Sequence, residues 1–295
     1  MSPSPRPPKK PASLPLRRSE TPGAGLRRIA RGQIDAALRA LEEPGDPHQA
    51  VHEARKALKR IRALLRLAAS EWSSSQRKAE AAPFGDAARL LAPLRDAQVR
   101  LQTFDTLVRE AELTPEEFAG TRAKLAAAAQ RLARGAPRRK RQAAALLRAA
   151  RTRIGRWQLG GLDKKSLLKE IRRSYRKGRK ALAAYHQTPG AEALHAWRKC
   201  IKTLFYHLRI VRDLLPSKAA KITAELEAMS EQAGNVNDLA VLRETLATAK
   251  TGVQSALFLG EIESLLPATT RALLKRGDAF YEESPSAFAR RLELE

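Results

Sequence analysis

Two short stretches of this chain carry side chains whose types and spacing suit the binding of phosphate. The first runs Val51-His52-Glu53-Ala54-Arg55-Lys56-Ala57-Leu58-Lys59-Arg60-Ile61-Arg62, and the second Leu194-His195-Ala196-Trp197-Arg198-Lys199-Cys200-Ile201-Lys202-Thr203-Leu204-Phe205. Both read hydrophobic-His-x-x-Arg-Lys-x-x-Lys. Arginine presents a rigid fork of N–H donors that matches two phosphate oxygens, and lysine adds a mobile point charge. Beside a bound phosphate a histidine gains proton affinity and becomes a further donor; otherwise it bridges helices as a neutral imidazole.

For that chemistry the side chains must share a face. On a helix, residues three and four apart do so. His52, Arg55, Lys59, Arg62 and Arg66 then form one stripe, with Val51, Ala54, Leu58, Ile61, Leu65 and Ala68 turned away from it. In the second copy His195, Arg198, Lys202, Tyr206 and Arg209 oppose Leu194, Trp197, Ile201, Leu204, Leu208 and Val211. Each helix thus has a core face and a cationic face. A single copy reads as a solvated basic face; two copies at matching places read as one binding surface.

The helices can be placed by their ends. Leu26 to Glu42 has helical periodicity and stops at Pro44-Gly45. Asp46-Pro47 then suits an N-cap followed by the first helical position, with Gln49 at a capping-box spacing. The first motif helix should reach about Ser70, roughly 35 Å at 1.5 Å per residue. Ser73 to Leu94 looks interrupted by Pro83 and Pro93, and Arg95-Asp96 opens a further run to about Glu112. Thr114-Pro115-Glu116-Glu117 starts another helix, ending near Gly135. Arg138 to Ile154 follows. In the second half, Lys165 to Gln187 is a very basic helix. The second motif helix ends near Leu215, and Gly234 to Asp238 looks like a break before a short helix. Gln254 to Arg276 is helical. Period-2 alternation long enough for a sheet does not occur.

The repeat extends past the motif. His52 to Asp96 spans 44 positions and His195 to Asp238 spans 43. The aspartates sit in Leu94-Arg95-Asp96-Ala97-Gln98-Val99 and Val236-Asn237-Asp238-Leu239-Ala240-Val241. The fold class expected is all-α, as two pseudo-symmetric four-helix bundles over residues 23–158 and 159–295. Gly155 to Asp163, with Gly160-Gly161, is the boundary. Residues 1–22 read as a disordered basic tail without the apolar segment of a secretory signal.

Composition bounds the partners. The 295 residues carry a formal net charge of +25, which predicts attraction to polyanions: nucleic acid, anionic lipid or a phosphate polymer. No apolar run approaches the length of a membrane span. The only cysteine is Cys200, so an intramolecular disulfide is impossible; its place beside the core stripe favours a buried thiol. Metal binding is not expected: His52-Glu53 begins like His-Glu-x-x-His, but the fifth position is Lys56. Asp96 and Asp238 could be an acid/base pair, yet a cap or a partner for a neighbouring cation suits each better. No phosphate loop, nucleophile set or cofactor motif stands out, so no enzyme activity and no cofactor are expected.

At both histidine motifs, the two aspartate segments and the closing Tyr281-Glu282-Glu283-Ser284-Pro285, the chain resembles the CHAD family, the conserved histidine α-helical domain. The resemblance implies two bundles around a basic central cavity or groove, and binding of inorganic polyphosphate without catalysis in a cytoplasmic protein associated with polyphosphate granules. Carried over by position, His52, Arg55, Lys56, Lys59 and Arg62 bind in the first repeat, and His195, Arg198, Lys199 and Lys202 in the second. Arg28 and Arg31, with Tyr175, Arg176 and Arg179, would complete the walls from the preceding helices. Phe205 stands where the first copy has Arg62, which breaks a strict two-fold charge pattern. The Glu-x-Glu-x-Lys triphosphatase barrel often fused to such domains has no counterpart: Glu261-Ile262-Glu263 lacks the lysine, so a stand-alone binding protein is expected. The alternative is a nucleic-acid-binding protein, against which stands the scarcity of aromatics to stack bases.

Overall fold

The computed structural model describes residues 13–217, 219–248 and 253–293. Its regular elements are helices: α1 (Pro22–Glu42), α2 (Pro47–Leu67), α3 (Ser74–Glu110), α4 (Ala119–Arg134), α5 (Ala136–Ile154), α6 (Lys164–Gln187), α7 (Ala191–Val211), α8 (Ala219–Thr248), α9 (Val253–Phe280) and α10 (Pro285–Arg291). The all-α class expected from composition and periodicity is therefore observed.

Local rules set several ends. Asp46 caps α2 by accepting the amides of His48 and Gln49, each at 3.0 Å. Ser73 and Gln76 form a reciprocal capping box on α3. The start expected at Thr114 differs: Pro115–Phe118 is one turn of 3-10 helix, and the Thr114 side chain makes no cap bond.

Two expected interruptions are absent. α3 runs unbroken through Pro83 and Pro93, although each proline removes an N–H and crowds the carbonyl four residues back. Phe84, Ala87, Leu91 and Leu94 are all buried along that stretch, and their packing holds the helix through the prolines. α8 likewise continues through Gly234 and Asp238, anchored by buried Met229, Ala233 and Val236. Asp96 and Asp238 are therefore mid-helix residues and cap nothing.

In the first half, α1 packs on α2 and α5, and α3 packs on α2, α4 and α5. In the second, α6 packs on α7 and α10, and α8 on α7 and α9. The halves meet where α2 touches α7 and α6, and where α3 touches α8. One apolar core runs through both, from Leu26 and Ile61 to Trp197 and Phe288. A smaller core joins Phe104, Phe118 and Leu125 to Leu242, Phe258 and Ile262. Within it Phe104 stacks on Phe258 with centroids 4.4 Å apart. The segment joining the halves is itself packed: Trp157, Leu159 and Leu162 are buried, and Trp157 Nε1 donates to Glu80 at 2.9 Å. Gly23 permits this approach, since a Cβ there would stand 2.2 Å from the Leu159 carbonyl oxygen.

The tail expected over residues 1–22 is corrected in its second part; residues 1–12 lie outside the described residues. Leu14 and Leu16 are buried. The Leu16 amide donates to the Ile210 carbonyl at 2.7 Å, and Arg18 Nε donates to the Asp213 carbonyl at 3.0 Å. Two leucines spaced by a proline supply enough apolar surface to dock this strap on the far half.

Candidate functional site

The core stripes read from the sequence are buried as expected: Val51, Ala54, Leu58, Ile61 and Leu65 on α2 with Ala68 at its C-cap, and Leu194, Trp197, Ile201, Leu204, Leu208 and Val211 on α7. With these faces buried in the core, both cationic stripes turn toward one shared space. That space is a groove of about 470 Å³ walled by α2 and α7 and closed by α3 and α8.

From α2 the groove receives His52, Arg55, Lys56, Lys59, Arg62 and Arg66; from α7, His195, Arg198, Lys199, Lys202 and Tyr206. Every motif residue predicted to bind thus lines one cavity. Arg95, Asp96, Val99 and Arg100 enter from α3, and Asn237, Asp238 and Val241 from α8. Ten lysines and arginines face two carboxylates among the described residues of this lining. Asp96 lies 3.9 Å from Arg55. Such an imbalance costs self-repulsion until an anion enters.

Burial first, and then this crowding of like charge, lowers the proton affinity of several lining groups. Lys59 is open to the groove's water but ringed by protein on its other sides. This lost hydration, then the charges of Arg198, Arg55, Lys202 and Arg95, push its ammonium down to about 8. Burial first, then Arg198, also lowers Lys202, against the pull of Glu231 and Asp238. Burial and then Arg95 hold His52 below its ordinary value, against the pull of Glu53. Arg198 Nε is buried without a hydrogen-bond partner among the described residues, an unused donor in the wall.

Both histidines line the groove, but they are held differently. His195 Nδ1 donates to Asn237 Oδ1 at 3.2 Å, and Asn237 Nδ2 donates to Asp238 at 3.1 Å. This chain of bonds orients the His195 ring. Arg55 also has a structural duty: its Nη1 donates to the Ala88 carbonyl of α3 at 2.9 Å.

The residues carried over from the preceding helices are elsewhere. Arg28 binds Glu20 and the Pro15 carbonyl, each at 2.9 Å, and so fastens the N-terminal strap. Arg31 lies beside Gly155 at the end of α5. Tyr175 is fully buried, stacked on Phe288 at 4.0 Å, with its hydroxyl donating to the Phe280 carbonyl at 2.9 Å. Arg176 and Arg179 are exposed on α6 and do not line the groove. Phe205, the counterpart of Arg62, is buried in the core, so the charge pattern is asymmetric. The residues missed were Arg95, Arg100 and Asn237. For Arg95 and Asn237 the signal lay in the paired aspartate segments, where each precedes the aspartate; Arg100 is the residue after the first segment.

A family model described as the CHAD domain matches residues 28–247. The chain belongs to the CHAD domain family. Among solved structures, this CHAD domain is similar to the crystal structure of the CHAD domain from the plant Ricinus communis. The identity is 21% and the TM-score 0.63, covering 92% of this chain and 95% of that one. It is also similar to PptA from Streptomyces chartreusis, at 15% identity and TM-score 0.62, covering 90% of this chain and 100% of that one. No curated protein matches it by sequence. Among the described residues no group of three His, Cys, Asp or Glu side chains is placed to hold a metal ion, and no helix is long and apolar enough to cross a membrane.

Proposed function

We propose that this CHAD domain binds inorganic polyphosphate in the groove between α2 and α7 and does not hydrolyse it. The carrying observation is that both His-x-x-Arg-Lys-x-x-Lys stripes, from distant parts of the chain, line one cavity with few carboxylates. A flexible chain of phosphates suits it. Each unit brings charge to neutralise a cation and oxygens to accept from the arginine forks. Lys59, Lys202 and His52 are held below their ordinary values, and an entering anion raises the proton affinity of each. A protein holding this polymer would gather at polyphosphate granules in the cytoplasm.

Asp96 and Asp238 are engaged with Arg55 and Asn237, which supports a role in orienting the wall rather than in acid/base chemistry. Tyr206 is the one Phe, Tyr or Trp among the described residues of the groove lining, a poor platform for stacking successive bases.

Titration with polyphosphate while salt is varied tests this reading. Affinity should fall with salt as counterions are released, and duplex DNA at equal phosphate concentration should not displace the polymer. Displacement by DNA would favour a nucleic-acid-binding protein. Phosphate release from polyphosphate with magnesium, lost in Asp96→Asn or Asp238→Asn, would overturn the non-catalytic reading.

A further inference from the structure

A second cavity, of about 700 Å³, opens beside the groove between α2, α3, α6 and α7. The two share Arg62, Arg66, Lys199 and Thr203 as common walls. Beyond them the second cavity adds Arg77 and Lys78 from the first turns of α3 and Lys177 from α6. Two further arginines in this lining are already paired: Arg89 with Asp86, and Arg173 with Glu170 at 3.6 Å. Among the described residues, Arg62, Arg77, Lys78, Lys177 and Lys199 have no carboxylate within salt-bridge distance.

One buried residue links the walls of the two cavities. Ala63, in the groove wall, and Ser174, in the second cavity, are bridged by buried His207. Its Nε2 donates to the Ala63 carbonyl at 2.9 Å and its Nδ1 accepts from Ser174 at 3.1 Å. The cationic lining of α2 runs from His52 to Arg66, about 21 Å at 1.5 Å per residue. It then passes to α3 and α6.

We propose that the second cavity is a subsite for the same polymer, so that long polyphosphate chains run from the groove past Arg62 and Arg66 to Arg77 and Lys177. This rests on the groove reading and adds chain-length selection to it. A short oligophosphate fits the groove alone. A long chain engages both cavities, and the second contact is intramolecular, which raises avidity without strengthening the first.

The test compares tripolyphosphate with long-chain polyphosphate at several salt concentrations. The wild type should bind the long chain more tightly per molecule. The Arg77→Ala, Lys177→Ala double variant should bind the long chain roughly tenfold more weakly. Its salt dependence should become shallower by about 0.7 per lost contact. Its tripolyphosphate affinity should be unchanged, which also reports that it is folded. Lys124→Ala with Arg131→Ala removes the same charge from α4, outside both cavities, and should leave long-chain binding as it was. The proposal is overturned if the Arg77, Lys177 variant matches wild type on both ligands, or if the α4 variant loses as much. A wild type that binds neither ligand would instead sink the groove reading itself.

Discussion

His207 Nε2, on α7, donates to the carbonyl oxygen of Ala63, on α2, at 2.9 Å. This bond ties the two motif helices together beside the groove, and His207 is fully buried. Burial pushes the imidazole down to about 3, so it stays neutral across the physiological range.

The same residue should make folding pH-dependent. Unfolded, the imidazole takes a proton near about 6.5; folded, it refuses one until about 3. The unfolded state therefore binds more protons between these values. The stability His207 contributes is present above about pH 6.5 and is lost as pH falls toward 3, by roughly 1.4 kcal/mol per unit. Urea unfolding as pH is lowered checks this. His207→Phe should remove that part of the slope while costing about 1–3 kcal/mol for the Ser174 hydroxyl that loses its buried partner.

Lys59 should take up a proton when a polyanion binds. At about 8 its ammonium is partly deprotonated in mildly alkaline solution, and a neighbouring phosphate restores the charge. Calorimetry in buffers of different ionisation enthalpy should show proton uptake at pH 8 to 9. The uptake should shrink in Lys59→Met, and a Lys59→Met protein with unchanged uptake would assign the proton elsewhere.

Arg198 is the cleaner probe of the groove. Arg55 also braces α3 through Ala88, whereas Arg198 Nε has no partner among the described residues. Arg198→Ala should weaken polyphosphate binding by about 1.5–3 kcal/mol, the worth of a charge-assisted hydrogen bond. Its unfolding midpoint should hold or rise, because the free groove loses a repelling charge. Far-UV circular dichroism beside binding separates the two effects.

Asp96→Asn with Asp238→Asn should tighten polyphosphate binding, since both carboxylates oppose the ligand's charge within the lining. A catalytic pair would predict loss of function from the same change. Binding measured at fixed salt decides the direction.

Leu58→Ala should destabilise the fold by about 2–5 kcal/mol, because Leu58 is 1% exposed in the core. Binding per folded molecule should survive. A variant that stays stable yet fails to bind would reverse the assignment of the two faces of α2.

Which side of each motif helix is apolar follows from residue spacing alone, because one helical period separates the two stripes. The Asp46 start was equally local, and so was legible. The repeat itself told that two such helices belong to one device. Local rules failed where packing outweighed them. Prolines at 83 and 93 and the weak helix formers from Gly234 onward lie within continuous helices, since buried neighbours offset the cost. Tyr175 and Arg28 looked like wall residues in the one-dimensional pattern, yet one is core and the other clamps the strap; the family pattern carried no information on where those side chains point. Only the tertiary structure decided that α2 and α7 face each other. It also brought Arg95 and Asn237 to close the groove, and set a second basic cavity against it. Each of these depends on contacts between residues far apart in the chain, whose distances no local period encodes.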